Sequence, residues 1–198
     1  MSRNTERPTP KIDRRARRTR DALGDALLML MQEKPFETIS VQQVLDRSGI
    51  GRSTFYAHYC DKTDLFLSDL EDFLEPMSTL LLRQREASNR VAPVRELFAH
   101  VAEMRELRAA LIAADKLRDF LEMGQGYFAR AIELRLGELP SSRTINPTHR
   151  TAMAHAFAGA LLSLMSWWVD HRAAASPEEM DDLYHHMVWF GVAWSSTS

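Results

Sequence analysis

The chain is predicted to be all-α, on three observations. Apolar residues recur at three- and four-residue spacing through most of its 198 residues. The breaks between these stretches carry capping residues, prolines and glycines rather than hairpin signals. No stretch alternates apolar and polar residues as a half-buried strand does. With 45% hydrophobic residues the chain can bury a sizeable core, as one domain or as a small one joined to a larger one.

Leu23, Ala26, Leu27, Leu30 and Met31 share one helical face, so a first helix is expected over about 15–34, stopped by Pro35. In "SVQQVLDRSGIG", Ser40 and Gln43 have capping-box spacing and Val41, Val44 and Leu45 form one apolar face. This second, short helix ends at Gly49. A third is expected over 52–59, burying Phe55 and Tyr59. Asp61 and Asp64 then cap a longer helix carrying Phe66, Leu70, Phe73, Met77 and Leu80. Val94, Leu97, Phe98 and Val101 form a further stripe, and Leu117, Phe120, Leu121, Phe128 and Ile132 another, interrupted by Gly124 and Gly126. Asn146-Pro147 opens a helix with Met153, Phe157, Ala160, Leu161, Leu164 and Trp168 on its apolar face. Ser176-Pro177-Glu178-Glu179 combines a cap, a first-turn proline and a capping-box Glu, and launches the last helix.

Charge is unevenly spread. Residues 1–62 hold 12 Lys and Arg against 8 Asp and Glu, whereas residues 63–198 hold 13 against 19. Most of the positive charge lies between Arg3 and Arg20, eight basic residues with two acidic ones. Such a run is either a solvated tail or an arm for phosphates, with Arg17 and Arg18 among its contacts. The single cysteine, Cys60, excludes an internal disulfide and a multi-cysteine metal site. It is expected to be a partly buried, inert thiol. No apolar run of membrane-spanning length and no secretion signal is read in the sequence, so a soluble cytoplasmic protein without a membrane partner is expected. No His-Glu-x-x-His, Gly-x-Ser-x-Gly or P-loop pattern occurs. His185 and His186 are adjacent and point apart on a helix, and His155 and His171 are sixteen residues apart. The expectation is therefore no enzyme, no metal and no cofactor.

Two short helices around Gly49-Ile50-Gly51, braced by a longer one before them, form a helix-turn-helix pattern. Gly49 suits a left-handed turn, and Ile50 can plug the angle between the helices. Burying Phe55 and Tyr59 turns Arg52, Ser53, Tyr56 and Ala57 outward. Arg52 can reach a guanine edge or a phosphate, while Ser53, Thr54, Tyr56 and His58 can donate to phosphate oxygens.

Over Arg17 to about Phe73 the chain resembles the TetR/AcrR transcriptional regulators. The resemblance rests on "ALGDALLMLMQEKPFETISV", on "DRSGIGRSTFYAHY" and on "DKTDLF" directly after it. It implies a helix-turn-helix DNA-binding domain over residues 1–62 and a larger helical domain over 63–198 that binds a ligand and dimerises. By position, Ser40 matches a residue near a phosphate at the start of the second helix, and Gln42 an outward residue that touches DNA. Gly51, Arg52 and Ser53 match the start of the recognition helix, where base contacts concentrate. Thr54, Tyr56 and His58 match residues that hold the DNA backbone, and Lys62 a phosphate contact. The sequence departs from the family at Leu45, where Ala is usual, at Gly51, where Ser or Thr is common, and at Cys60.

For the larger domain, large adaptable side chains suggest a pocket of Phe73, Met77, Phe98, Met104, Phe120, Met123, Tyr127, Phe128 and Trp168 for a small apolar or aromatic ligand. Plain core is the competing reading of the same residues. The last two helices suggest a self-complementary dimer interface including Phe157, Ala160, Leu164, Tyr184, Met187 and Trp194. The expected function is a homodimeric repressor on a near-palindromic double-stranded DNA operator, released by the ligand. The alternative is a DNA-binding protein of the same fold with no small ligand, controlled by a protein partner or acting as an activator.

Overall fold

The structure, a computed structural model, describes residues 14–142, 144–171 and 174–195, and the side chains of these except 105–107, 141 and 191–195. Arg3, Arg7 and Lys11 of the basic arm, and the Trp194 side chain, therefore lie outside the described residues.

Helix α1 (Arg14–Glu33) buries the predicted face of Leu23, Ala26, Leu27, Leu30 and Met31. After Pro35 a single 3-10 turn (Phe36–Thr38) leads to α2 (Val41–Ser48). There the Ser40 hydroxyl accepts from the Gln43 N–H and the Gln43 side chain accepts from the Ser40 N–H, a closed capping box worth about 1 kcal/mol. Gly49 ends α2 in the left-handed region, at φ 70°, where a Cβ would clash with the following carbonyl. Helix α3 (Arg52–Tyr56) follows, then α4 (Lys62–Ser78) and α5 (Leu80–Gln84). Helices α6 (Val94–Glu103), α7 (Arg105–Ala113), α8 (Leu117–Glu138), α9 (Pro147–Asp170) and α10 (Pro177–Ser195) complete the chain. No strand occurs among the described residues.

Helices α8 and α9 pack along each other, α10 lies on α6, and α1 is braced by α2, α4 and α7. Helix α4 joins the two regions, since it packs on both α1 and α8. One continuous apolar core runs from Leu23 to Val188. The Asn146 side chain caps α9, and Ser176 and Glu179 form a second closed capping box at α10.

Several expectations are corrected. The third helix stops at Tyr56, and Tyr59 reaches the core from the turn after it. The fourth stops at Ser78, so Leu80 belongs to α5: Pro76 removes an amide, and the Ser78 and Thr79 hydroxyls donate to the Glu75 carbonyl. Gly124 and Gly126 do not interrupt α8. Gly124 is buried, and a Cβ there would meet Leu74 and Leu162 at 3.5–3.6 Å, an ordinary contact. Helix α9 is long and apolar enough to cross a membrane by length and composition, although the sequence reading finds no such run. About a third of that apolar span is buried within the bundle, on the face of Ala154, Ala158, Leu161, Leu162, Met165 and Trp168. Cys60 is exposed rather than partly buried.

Candidate functional site

The outward surface of α2 and α3 is the first candidate. Phe55 is fully buried and Tyr59 is 5% exposed. Anchoring these two leaves Gly51, Arg52, Ser53, Thr54, Tyr56, Ala57 and His58 exposed. Tyr56 stands edge-on to Phe55 with ring centroids 5.2 Å apart, so a buried ring orients the exposed one. Ile50 is partly buried in the angle between the helices.

The two helices are tied at their surface. Arg52 donates to Gln42 Oε1 at 3.0 Å, and Gln42 Nε2 donates to Asp46 Oδ1 at 2.7 Å. The planar guanidinium and the amide are thus presented side by side, in a geometry suited to base edges and phosphates. Behind them, Arg47 and Glu33 form a paired hydrogen bond at 2.9 and 3.2 Å that fixes the end of α2 to α1. Ser40, Gln42, Arg17 and Arg18 are all exposed.

Lys62 is not part of this surface. Its ammonium donates to the carbonyls of Phe36 at 2.7 Å, Glu37 at 3.2 Å and Ile39 at 2.7 Å, and sits 4.6 Å from the Phe36 ring centroid. All three of its donors are engaged inward, so it fastens the start of α4 to the turn before α2 instead of facing a phosphate. Asp61 caps α4 by accepting from the N–H groups of Thr63 and Asp64. Asp64 accepts from the Cys60 N–H at 2.8 Å.

Two adjoining cavities form the second candidate. One, of about 340 Å³, lies between α1 and α4 and is lined by Arg20, Asp21, Asp25, Asp69 and Asp72 with Leu28, Phe66 and other apolar residues. The other, of about 40 Å³, lies deeper and has Val101, Leu111, Leu121, Met165 and Val169 in its walls. Phe73, Met104 and Phe120 line both. Of the predicted pocket, these three residues face the cavities. Phe98, Phe128 and Trp168 are sealed in the core instead, with the Trp168 indole N–H donating to the Ala175 carbonyl at 2.7 Å. Met77, Met123 and Tyr127 are partly buried against that core.

The carboxylates of the larger cavity escaped the sequence reading. Asp69 is pushed up to about 7, first by burial and then by the neighbouring charges of Asp72, Asp25 and Asp21, with Arg20 opposing. The available signals were Asp21 and Asp25 four residues apart on α1, Asp69 and Asp72 three apart on α4, and a glycine, Gly24, in mid-helix.

On α9 and α10 the described side chains leave an apolar face open to solvent. Phe190 is 68% exposed, and Trp167, Leu183 and Met187 are each close to half exposed. Ala160 is exposed beside them, and Phe157 and Leu164 are half-buried. Tyr184, predicted for this face, is instead core: it is 1% exposed and donates to the Phe157 carbonyl. No group of His, Cys, Asp and Glu suited to a metal ion occurs among the described residues. His185 accepts from the Val91 N–H at 3.0 Å and is a satisfied core histidine.

Comparison with known proteins adds to this geometry. Residues 23–68 match the family model for bacterial regulatory proteins of the tetR family. The HTH-type transcriptional regulator YxbF of Bacillus subtilis (strain 168) is 43% identical over 56 residues, which are 28% of this chain and 15% of that relative. A TetR transcriptional regulator from Streptococcus agalactiae 2603V shares the fold, with a TM-score of 0.62 and 22% identity over 89% of this chain and 96% of that one. NalD of Pseudomonas aeruginosa, the secondary repressor of the MexAB-OprM multidrug efflux pump, has a TM-score of 0.56 and 16% identity over 89% of this chain and 97% of its own.

Proposed function

We propose that this chain, whose residues 23–68 match the family model for bacterial regulatory proteins of the tetR family, is a homodimeric, sequence-specific DNA-binding repressor acting in the cytoplasm. Its matched family is one of regulators and not of enzymes. The observation that carries the reading is the polar surface of the helix-turn-helix, in which Arg52 and Gln42 are paired at 3.0 Å over a buried Phe55 and a left-handed Gly49. Residues 1–62 form the DNA-reading part and 63–198 the sensing and dimerising part. Gly51, Arg52 and Ser53 approach the bases; Ser40, Gln42, Thr54, Tyr56, His58, Arg17 and Arg18 hold the phosphate backbone.

The exposed apolar face of α9 and α10 supports a twofold interface with a second copy. A twofold dimer presents two α3 helices to successive major grooves, so the operator is a near-palindrome with half-sites about 10 base pairs apart. The cavity between α1 and α4 supports control by a small ligand. A ligand there releases DNA only by binding the DNA-incompetent arrangement more tightly. Selection of bound sequences from a randomised DNA library tests the reading. A near-palindromic consensus is expected, and recovery of no enriched sequence contradicts it.

A further inference from the structure

We infer that the cavity between α1 and α4 receives an organic cation with an apolar or aromatic body. Its charge lies among Asp21, Asp25, Asp69 and Asp72, and its body lies along Phe73, Met104 and Phe120. This rests on the ligand-responsive reading above and assigns that ligand its chemical class.

The lining carries four carboxylates and one cation, Arg20, whose guanidinium is 3.8 Å from Asp72. Asp69 is the least exposed of the four acids. Burial and the carboxylates of Asp72, Asp25 and Asp21 all oppose its ionisation, so negative charge here exceeds what the lining balances. The seat is made by Gly24, since a Cβ at that position on α1 would lie 2.6 Å from Asp69 Oδ2.

The apolar wall excludes the simpler occupants. Phe73 and Phe120 stack with ring centroids 6.2 Å apart, and both line the cavity with Met104. Aromatic faces attract cations and also hold apolar bodies. His100 stacks on Phe73 at 5.2 Å from the α6 side. An inorganic ion uses none of this wall, and the acids do not form a metal-binding group among the described residues. An anion meets repulsion from four carboxylates. The volume of about 340 Å³ falls in the range of small-molecule pockets.

The test uses the full-length protein and three probes that share one aromatic body: phenylbutyltrimethylammonium, phenylbutanol and phenylbutyrate. Binding is followed by calorimetry, and release of DNA by anisotropy. The cation should bind at least about tenfold more tightly than the alcohol, and the carboxylate least tightly. Asp69→Asn should remove most of that preference, read as the ratio of cation to alcohol affinity. Asp25→Asn, at an exposed position on α1, should reduce it in part, and a thermal melt of each variant confirms folding. Raising the pH from about 6 to about 8 ionises Asp69 in the presence of Asp21, Asp25, Asp72 and Arg20, so cation affinity should rise and alcohol affinity stay level. Equal binding of cation and alcohol overturns this inference and leaves the ligand-responsive reading standing. Binding of none of the three overturns both.

Discussion

Replacing Lys62 by Met keeps the aliphatic stem and removes the ammonium, which separates a structural role from a phosphate-binding one. The cost can be worked from the three carbonyls the ammonium serves. Those of Phe36 and Ile39, each at 2.7 Å, are partly buried, and each gives up a charge-assisted bond worth about 1–1.5 kcal/mol net once some water enters. The Glu37 carbonyl, at 3.2 Å, is exposed and rehydrates at little cost. The cation over the Phe36 ring adds about 0.5–1 kcal/mol. Together the expected destabilisation is about 2.5–4 kcal/mol, read as a lower urea midpoint at constant slope. DNA binding measured below the variant's melting range should keep the wild-type dependence on salt. If Lys62 neutralised a phosphate instead, its removal would flatten that dependence by about 0.9 in slope for each protomer on the DNA. Unchanged stability with a flatter salt dependence would refute the inward role of Lys62.

Arg52→Ala should weaken binding to the selected sequence by about 1–3 kcal/mol and relax preference at one base position; a variant that binds every sequence as the wild type does would show that another face reads the DNA. Asp69 has a folded-state value of about 7 against an ordinary 3.8, so its ionisation opposes folding increasingly as pH rises from about 4 to about 7 and by a constant amount above that. Asp69→Asn should therefore add about 2–4 kcal/mol of stability at pH 8, discounted for partial solvent access, and almost none at pH 4; thermal melts at the two pH values check this. Phe190→Asp places a charge on the most exposed apolar side chain of the α9–α10 face and should shift sedimentation from dimer to monomer, while a variant that still sediments as a dimer puts the interface elsewhere.

What was legible in the sequence was chiefly local. Ser40 with Gln43, Asn146, and Ser176 with Glu179 announce helix starts because each cap satisfies amides within a few residues of itself. Gly49 announces the turn for the same kind of reason. What failed depends on distant partners. Lys62 finds its acceptors 23 to 26 residues earlier, in a turn whose carbonyl directions no spacing rule gives. Phe73, Met104 and Phe120 line cavities while Phe98, Phe128 and Trp168 fill solid core, yet all six look alike as apolar positions on helical stripes. Tyr184 reads as an interface residue until its hydroxyl is seen to bond the Phe157 carbonyl of the adjoining helix. The short α5 and α7 carry too little periodicity to stand out, and packing in the assembled bundle defines them. Asp69 shows only as one of many acidic residues until α1 brings Asp21 and Asp25 against it.

Sequence-specific DNA recognition is tested most directly by fluorescence anisotropy of the purified protein on DNA from immediately upstream of its own coding sequence and on a shuffled control, at two salt concentrations. The helix-turn-helix surface predicts a preference for the upstream DNA that persists at the higher salt, because base contacts add to the phosphate term. Equal binding to both DNAs, weakening in parallel as salt is raised, would contradict it.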